Sequence, residues 1–345
     1  MTGEPAPGEP APGEPAPGAP APGAPVARRT CLTVPGSSER FLAKAAGLAA
    51  DELIFDLEDS VAPAAKNNAR TLVAAAVARF PRRADAVSPA PGPVLGVRIN
   101  GALTEWAFRD VIDVLEAAGA RLDAIILPKV SDPGHLAWLD LLLGQVERAA
   151  GLPAGGIAVE AQIEDAAGLA AVREIAFASR RLAALIFGPA DFMASVGMRS
   201  LRIGAQPEGY THGDAFHYPL MQVLVAARSA GLQAIDGPYA AIDDVDGLKD
   251  AAASAAALGY DGKWVIHPSQ VEPVNAAFSP SQREYDRAEG ILQAYEHATS
   301  VRSKGAVTFD GEMIDEASRK LALVVAARGH AAGLTPTGQP LKFSR

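Results

Sequence analysis

The sequence predicts an α/β protein, a (β/α)₈ TIM barrel followed by a C-terminal helical extension, and three observations carry that prediction. Between residues 31 and 267, eight short apolar runs alternate with Ala-rich stretches whose apolar residues recur at three and four. Such alternation marks parallel strands separated by helices. Nearly every unusual charge sits where a run ends, and barrel enzymes build their sites at the C-terminal ends of their strands. The chain then continues with segments that a barrel does not require.

Residues 1–26 form a Pro/Gly/Ala/Glu-rich tail whose GEPAP and GAPAP repeats cannot pack a core. A disordered or polyproline-like segment is expected there, read as a solubilising extension, with a proline-reading partner as the other reading. The barrel is assigned to residues 27–278. Its strands are read as CLTV at 31–34, ELIFDL at 52–57, VLGVRI at 94–99 and AIILP at 124–128. They continue with IAVEAQI at 157–163, ALIFG at 184–188, LQAID at 232–236 and KWVIH at 263–267. FLAKAAGLAA and AWLDLLLGQVERAA are typical of the helical stretches between them. The first turn, VPGSSER, lacks the Gly-rich phosphate fingerprint of a doubly wound open sheet. The extension, residues 279–345, opens with the amphipathic SPSQREYDRAEGILQAYEHA, for which Ser279 or Ser281 is a plausible cap. A short strand-like run around a turn follows in VRSKGAVTFDGEMID, then a last helix through about Val325. This appendage reads as too small for its own core, so it is expected to cover the barrel or a neighbouring subunit.

Composition narrows the function. With 40 Asp+Glu against 31 Lys+Arg, a formal net charge of -9, nucleic acid and anionic membranes are poor partners, although a phosphorylated cofactor needs only a few local cations. A single cysteine, Cys31, excludes an internal disulfide framework and a multi-thiolate zinc site. No secretory signal is visible at the start, and no run reaches the roughly 18 apolar residues of a membrane helix. A soluble, cytoplasmic protein is expected.

The chemistry gathers at strand ends. Glu164 closes the fifth run, and Asp191, 27 positions later (191 − 164), follows the sixth. Two carboxylates on adjacent strands suit Mg²⁺, which keeps several water or substrate positions. Each could instead cap the helix after its strand. No His–His or Cys–His spacing nearby favours zinc. Asp56, Glu58 and Asp59 crowd the end of the second run and would repel one another unless cations or metal-bound waters share them; Lys66 and Arg70 follow on the next helix. Arg98 ends the third run, where a guanidinium could fork onto a substrate carboxylate or steady an oxyanion. Lys129, Asp236 and His267 follow the fourth, seventh and eighth runs. His267 is read as structural, because Pro268 and Ser269 look like a helix start. His212 and His217 have no third metal-binding partner, Cys31 is read as core, and Asp315 suits a helix N-terminus.

These motifs carry a resemblance. RRTCLTVPGSSERFLAKA, FDLEDSVAPAAKNNAR, VRIN, LPKV, QIED, FGPADFMASVG, GLQAIDGPY, GYDGKWVIHPSQ and DGEMID run in one order from Arg29 to about Asp315. In that order they resemble the HpcH/HpaI aldolase and citrate lyase β-subunit superfamily, particularly its malyl-CoA, citramalyl-CoA and citryl-CoA lyases. The resemblance implies a barrel that assembles into homotrimers or hexamers, with Mg²⁺ on Glu164 and Asp191. It implies that Arg98 contacts substrate near the metal and that Glu58 and Asp59 hold metal-bound waters. It further implies that the extension is a lid bringing Asp315 to a neighbouring subunit's thioester, and that Arg29, Lys66 and Arg70 meet the coenzyme A phosphates. The implied reaction is Mg²⁺-dependent cleavage or formation of a 3-hydroxyacyl-CoA, giving acetyl-CoA and a 2-oxo acid. A (3S)-malyl-CoA thioesterase, a citrate lyase β subunit and a non-catalytic scaffold are the competing readings.

Overall fold

The computed structural model describes residues 27–81, 92–302 and 305–337. The expectation of a disordered tail over residues 1–26 lies outside the described residues. The chain divides into two compact units, one spanning Arg28–Arg283 and the other holding Glu284 onward. Among the described residues, no helix is long and apolar enough to cross a membrane.

The first unit is a closed barrel of eight parallel strands in sequence order. They are β1 (Thr30–Pro35), β2 (Glu52–Asp56), β3 (Val94–Arg98), β4 (Ala124–Leu127), β5 (Ala158–Ile163), β6 (Leu182–Phe187), β7 (Gln233–Asp236) and β8 (Gly262–Val265). Closure comes from β1, which pairs with β2 through Cys31↔Glu52 and with β8 through Thr30↔Lys263. The predicted runs overshoot several strands by a residue or two. Pro128, with no N–H to donate, lies just beyond β4, which ends at Leu127. The helices that matter below are α1 (Glu39–Ala45), α2 (Lys66–Val77), α3 (Ala107–Ala118), α4 (Pro133–Ala149), α5 (Ala166–Ala170), α6 (Val172–Ala176) and α7 (Pro189–Ser195). They continue with α8 (His217–Ser229), α9 (Val245–Leu258) and α10 (Val271–Phe278).

Period-two alternation sorts each strand between two environments. In β2, Leu53 and Phe55 join the large apolar cluster beneath the helices, while Ile54 joins the small cluster inside the barrel with Cys31, Ile126, Ile186, Ile235 and Trp264. Glu52 and Asp56 share the face of Ile54. In β5, Val159, Ala161 and Ile163 join the outer cluster. Glu160, Gln162 and the following Glu164 therefore take the inner side. The barrel interior is thus layered along its axis: a charged floor, an apolar middle and a charged mouth. On the floor, Arg28 Nε lies 3.2 Å from Glu52 Oε2 and its Nη2 lies 3.0 Å from Glu160 Oε1, with both carboxylates fully buried. Arg28 also donates to Gln233 Oε1.

The second unit contains α11 (Gln282–Arg302, its first residues in the barrel unit), the antiparallel pair β9 (Val307–Phe309) and β10 (Glu312–Ile314), and α12 (Glu316–Ala331). Ser281, the second of the two expected caps, is the residue next to α11. Asp310 (φ 51°) and Gly311 (φ 82°) form the turn between the two strands, the positive φ values that an Asp–Gly hairpin accommodates. The last helix runs six residues past the expected Val325, to Ala331. Contrary to the expectation of no separate core, this unit buries two small clusters, Tyr285 with Ala288, Ala322 and Ala326, and Ala294 with Phe309 and Ile314, both packed against Ile291. Gly329 on α12 makes room for the Tyr285 ring, which is fully enclosed, since a Cβ there would lie 2.1 Å from it.

Candidate active site

The mouth is organised first by the β2–β3 ladder. Asp56 and Arg98 are register partners at the ends of these strands. Both side chains project inward, so the guanidinium forks onto the carboxylate, Nε to Oδ1 at 2.7 Å and Nη2 to Oδ2 at 2.8 Å. Burial alone would push the Asp56 carboxyl up, but Arg98 more than offsets this and holds it below the ordinary range. Asp56 also accepts the N–H groups of Glu58 (2.9 Å) and Ser60 (3.1 Å), which folds the DLED loop back over the strand end. The free edge of the guanidinium reaches Glu58 Oε2 at 2.9 Å, and its Cζ lies 5.3 Å from the centroid of the Trp264 ring.

Glu164 follows β5 and is buried. It accepts the Lys129 backbone N–H at 2.6 Å and Gln162 Nε2 at 2.7 Å. Burial, then the negative charge of Glu58, pushes its carboxyl up to about 8; Asp191 adds to the rise and Lys129 opposes it. A side chain at position 188 would place its Cβ 2.4 Å from Glu164 Cβ, so glycine there is what admits the glutamate. Asp191 is the third residue of α7, whose N-cap is Gly188 with no side-chain cap bond, so Asp191 does not cap that helix. Asp165, not Glu164, caps the helix after β5 by accepting from Gly168 N. Asp191 Oδ2 lies 3.1 Å from Lys129 Nζ, an ammonium that also bonds Glu58 and stands 3.7 Å from Asp59 Oδ1. Arg98, Glu164, Asp191, Asp59, Thr33 and Trp264 line one cavity of about 380 Å³.

The residues present fit a divalent cation. Among the described residues no group of three or more His, Cys, Asp or Glu converges in ligand geometry. Mg²⁺ does not require one, since it is commonly held by one or two carboxylates plus water and substrate oxygens. Two features point to a cation between Glu164 and Asp191. Asp191 Oδ2 is buried and makes no hydrogen bond of good geometry. Glu164 is driven toward neutrality by burial and then by neighbouring acids, and a cation would restore its charge.

The structure brings together Glu58, Asp59, Arg98, Glu164 and Asp191. The expected coenzyme A cations are each bonded to other parts of the chain, and of the three only Lys66 reaches the mouth. Arg29 precedes β1, at the opposite end of the barrel, forked onto Asp51 at 2.8 Å and bonded to Ser279 at 2.9 Å. Arg70 bridges the helix layer to Asp110 and Asp113, both at 3.0 Å. Lys66 spends its ammonium on the carbonyls of Leu57 (2.8 Å) and Glu58 (2.7 Å), fixing the DLED loop. In the structure all three side chains make contacts that support the fold. Asp315 is the N-cap of α12, accepting from Ala317 N at 3.0 Å and Ser318 N at 3.1 Å in a capping box. His267 accepts from Ser269 N and starts a short helical turn, as expected of a structural residue, and Cys31 is buried in the core. Sequence reasoning missed the Asp56–Arg98 fork, the aromatic support of Trp264 and the central place of Lys129. Inward period-two positions would have flagged Asp56 and Trp264.

The family model for HpcH/HpaI aldolase/citrate lyase matches residues 29–268. The L-malyl-CoA/beta-methylmalyl-CoA lyase of Cereibacter sphaeroides is 40% identical over 299 residues, covering 84% of this chain and 91% of that protein. A (3S)-malyl-CoA thioesterase of the same species is 36% identical over 289 residues, covering 83% of this chain and 89% of that protein. Among solved structures, CitE from Mycobacterium tuberculosis in complex with magnesium, acetoacetate and coenzyme A superposes with a TM-score of 0.65 at 30% identity, covering 88% of this chain and 98% of that one.

Proposed function

The chain belongs to the HpcH/HpaI aldolase/citrate lyase family, and from that premise we propose that it is a Mg²⁺-dependent carbon–carbon lyase acting on a 3-hydroxyacyl-CoA such as malyl-CoA. One observation carries the reading: Glu164 and Asp191, from successive strand ends, line a single cavity with Arg98. In this reading the two carboxylates hold Mg²⁺, which when bound supplies Lewis-acid polarisation of the substrate's hydroxyl and carboxylate oxygens.

The chain's own residues do the rest. Cleavage removes the hydroxyl proton, turns that C–O bond into a carbonyl, and breaks the adjacent carbon–carbon bond, leaving its electron pair on the thioester as an enolate. Glu58, held above the ordinary carboxylate range chiefly by burial, is assigned the hydroxyl proton. Arg98 steadies the developing negative charge. Its orientation is fixed in advance by Asp56 and Glu58, so little reorganisation is needed during reaction. Asp315, presented by the extension of a neighbouring subunit in a homotrimer or hexamer, passes a proton taken from solvent to the enolate carbon to give acetyl-CoA, and Glu58 releases the hydroxyl proton to solvent. The enzyme is placed in the cytoplasm, where such thioesters would be met.

The test is incubation of the protein with Mg²⁺ and malyl-CoA. Glyoxylate with acetyl-CoA establishes the lyase, whereas malate with free coenzyme A assigns the thioesterase activity of the second relative. Turnover of citryl-CoA alone, to oxaloacetate and acetyl-CoA, would move the protein to the citrate lyase reading.

A further inference from the structure

Lys129 touches four of the acids at the mouth. Its backbone N–H holds Glu164 Oε1 at 2.6 Å, while its ammonium bonds Glu58 and lies 3.1 Å from Asp191 Oδ2 and 3.7 Å from Asp59 Oδ1. It achieves this at φ 55°, a left-handed backbone that lysine seldom adopts. Such a conformation persists where the surroundings over-determine it, commonly at functional sites. Arg98 is committed to Asp56 and Glu58, so the ammonium at Asp191 comes from Lys129. The Lys129 side chain is 43% exposed, which leaves its flexible stem room to withdraw.

We propose that Lys129 is a tethered counter-ion of the metal site, whose ammonium holds Asp191 in the metal-free protein and surrenders that carboxylate when Mg²⁺ binds. The inference rests on the reading of Glu164 and Asp191 as the magnesium ligands. An ammonium and a divalent cation cannot both sit on the same carboxylate oxygen without strong like-charge repulsion. Asp59, largely exposed, offers the displaced ammonium a resting place toward solvent. The device keeps the acids from repelling one another before the metal arrives. It also sets metal affinity below what two bare carboxylates would give.

Lys129→Met, Lys129→Gly and Lys129→Arg, each in the full chain, test this by calorimetric titration with MgCl₂ in the absence of substrate and by melting in chelator. Glycine retains the N–H that holds Glu164 and suits the positive φ, so it removes the ammonium alone. The Met and Gly variants are expected to bind Mg²⁺ at least about tenfold more tightly, the scale of one unit charge removed from a few ångströms away. They should melt lower than wild type in chelator and recover on adding Mg²⁺, while the Arg variant keeps the wild-type affinity. Unchanged or weaker Mg²⁺ binding in both Met and Gly variants overturns the proposal, as does equal tightening in the Arg variant. A wild-type protein that binds no Mg²⁺ overturns the ligand assignment of Glu164 and Asp191 itself, and the counter-ion role with it.

Discussion

Arg98 and Asp56 face each other across the β2–β3 ladder and form a two-pronged ion pair, 2.7 and 2.8 Å, sealed inside the barrel mouth. Its geometry is dictated by register: inward positions of neighbouring parallel strands meet at the same height. Removing one partner strands a buried charge, which typically costs about 3–5 kcal/mol. Asp56→Ala should therefore lower the unfolding free energy by about that amount in urea titration. Arg98→Lys keeps the charge but loses the planar fork, so it should fold better than Asp56→Ala and still lose most turnover. A fully active Arg98→Lys enzyme would remove Arg98 from the chemistry.

Asp191 stands apart from that buried pair. Its side chain is 43% exposed and caps no helix, so the fold owes it little. Asp191→Ala should change the unfolding free energy, read by urea titration, by no more than an ordinary surface substitution, about 0.5 kcal/mol. Mg²⁺-dependent turnover of the CoA ester should vanish in the same protein. Persistence of turnover would refute the metal assignment.

The strands and the charges ending them were legible because both obey a short period. In IAVEAQIE the apolar positions alternate with Glu160, Gln162 and Glu164, and that alternation alone puts the three on one face. Which cation meets which acid was not legible. Arg70 lies near the DLED acids in sequence, yet it pairs with Asp110 and Asp113 on α3, because α2 and α3 pack side by side outside the barrel. Arg29 pairs with Asp51 because both precede their strands and so share the barrel's far end. Long side chains choose partners in space, and spacing along the chain carries no record of that choice. Lys129 was visible as a strand-end charge, but its left-handed backbone, which turns both its N–H and its ammonium onto the acids, leaves no trace in the sequence.

The floor of the barrel makes a prediction of its own. Glu52 and Glu160 share the single guanidinium of Arg28, and burial, then the charge of Glu160, raises the Glu52 carboxyl well above its ordinary value of 4.5. In the unfolded chain Glu52 ionises near that ordinary value; in the folded protein it stays protonated to higher pH. The folded state therefore binds more protons across this window, and its stability falls as pH rises from the ordinary value through the raised one. Glu52→Gln mimics the protonated acid at every pH. Urea unfolding of both proteins at pH 6 and pH 9 should show the variant's advantage growing with pH. A constant difference between them would mean that Glu52 does not carry the extra proton.

Asp315 is the residue whose two roles make opposite demands. As N-cap of α12 it accepts two backbone N–H groups, and those bonds hold its carboxyl below the ordinary range. An acid kept ionised is suited to take a proton from acetyl-CoA in the condensing direction and to return it in cleavage. Asparagine also caps helices, so Asp315→Asn should preserve α12 and its melting temperature while removing the proton carrier. If Asp315 serves a neighbouring subunit, Asp315→Asn and Asp191→Ala damage different halves of a shared site. Chains of the two inactive variants, co-expressed and purified as mixed assemblies, should then regain a fraction of wild-type turnover, because some sites combine an intact metal pair with an intact lid acid. Mixed assemblies that stay inactive would confine Asp315 to its own subunit or to the helix cap alone.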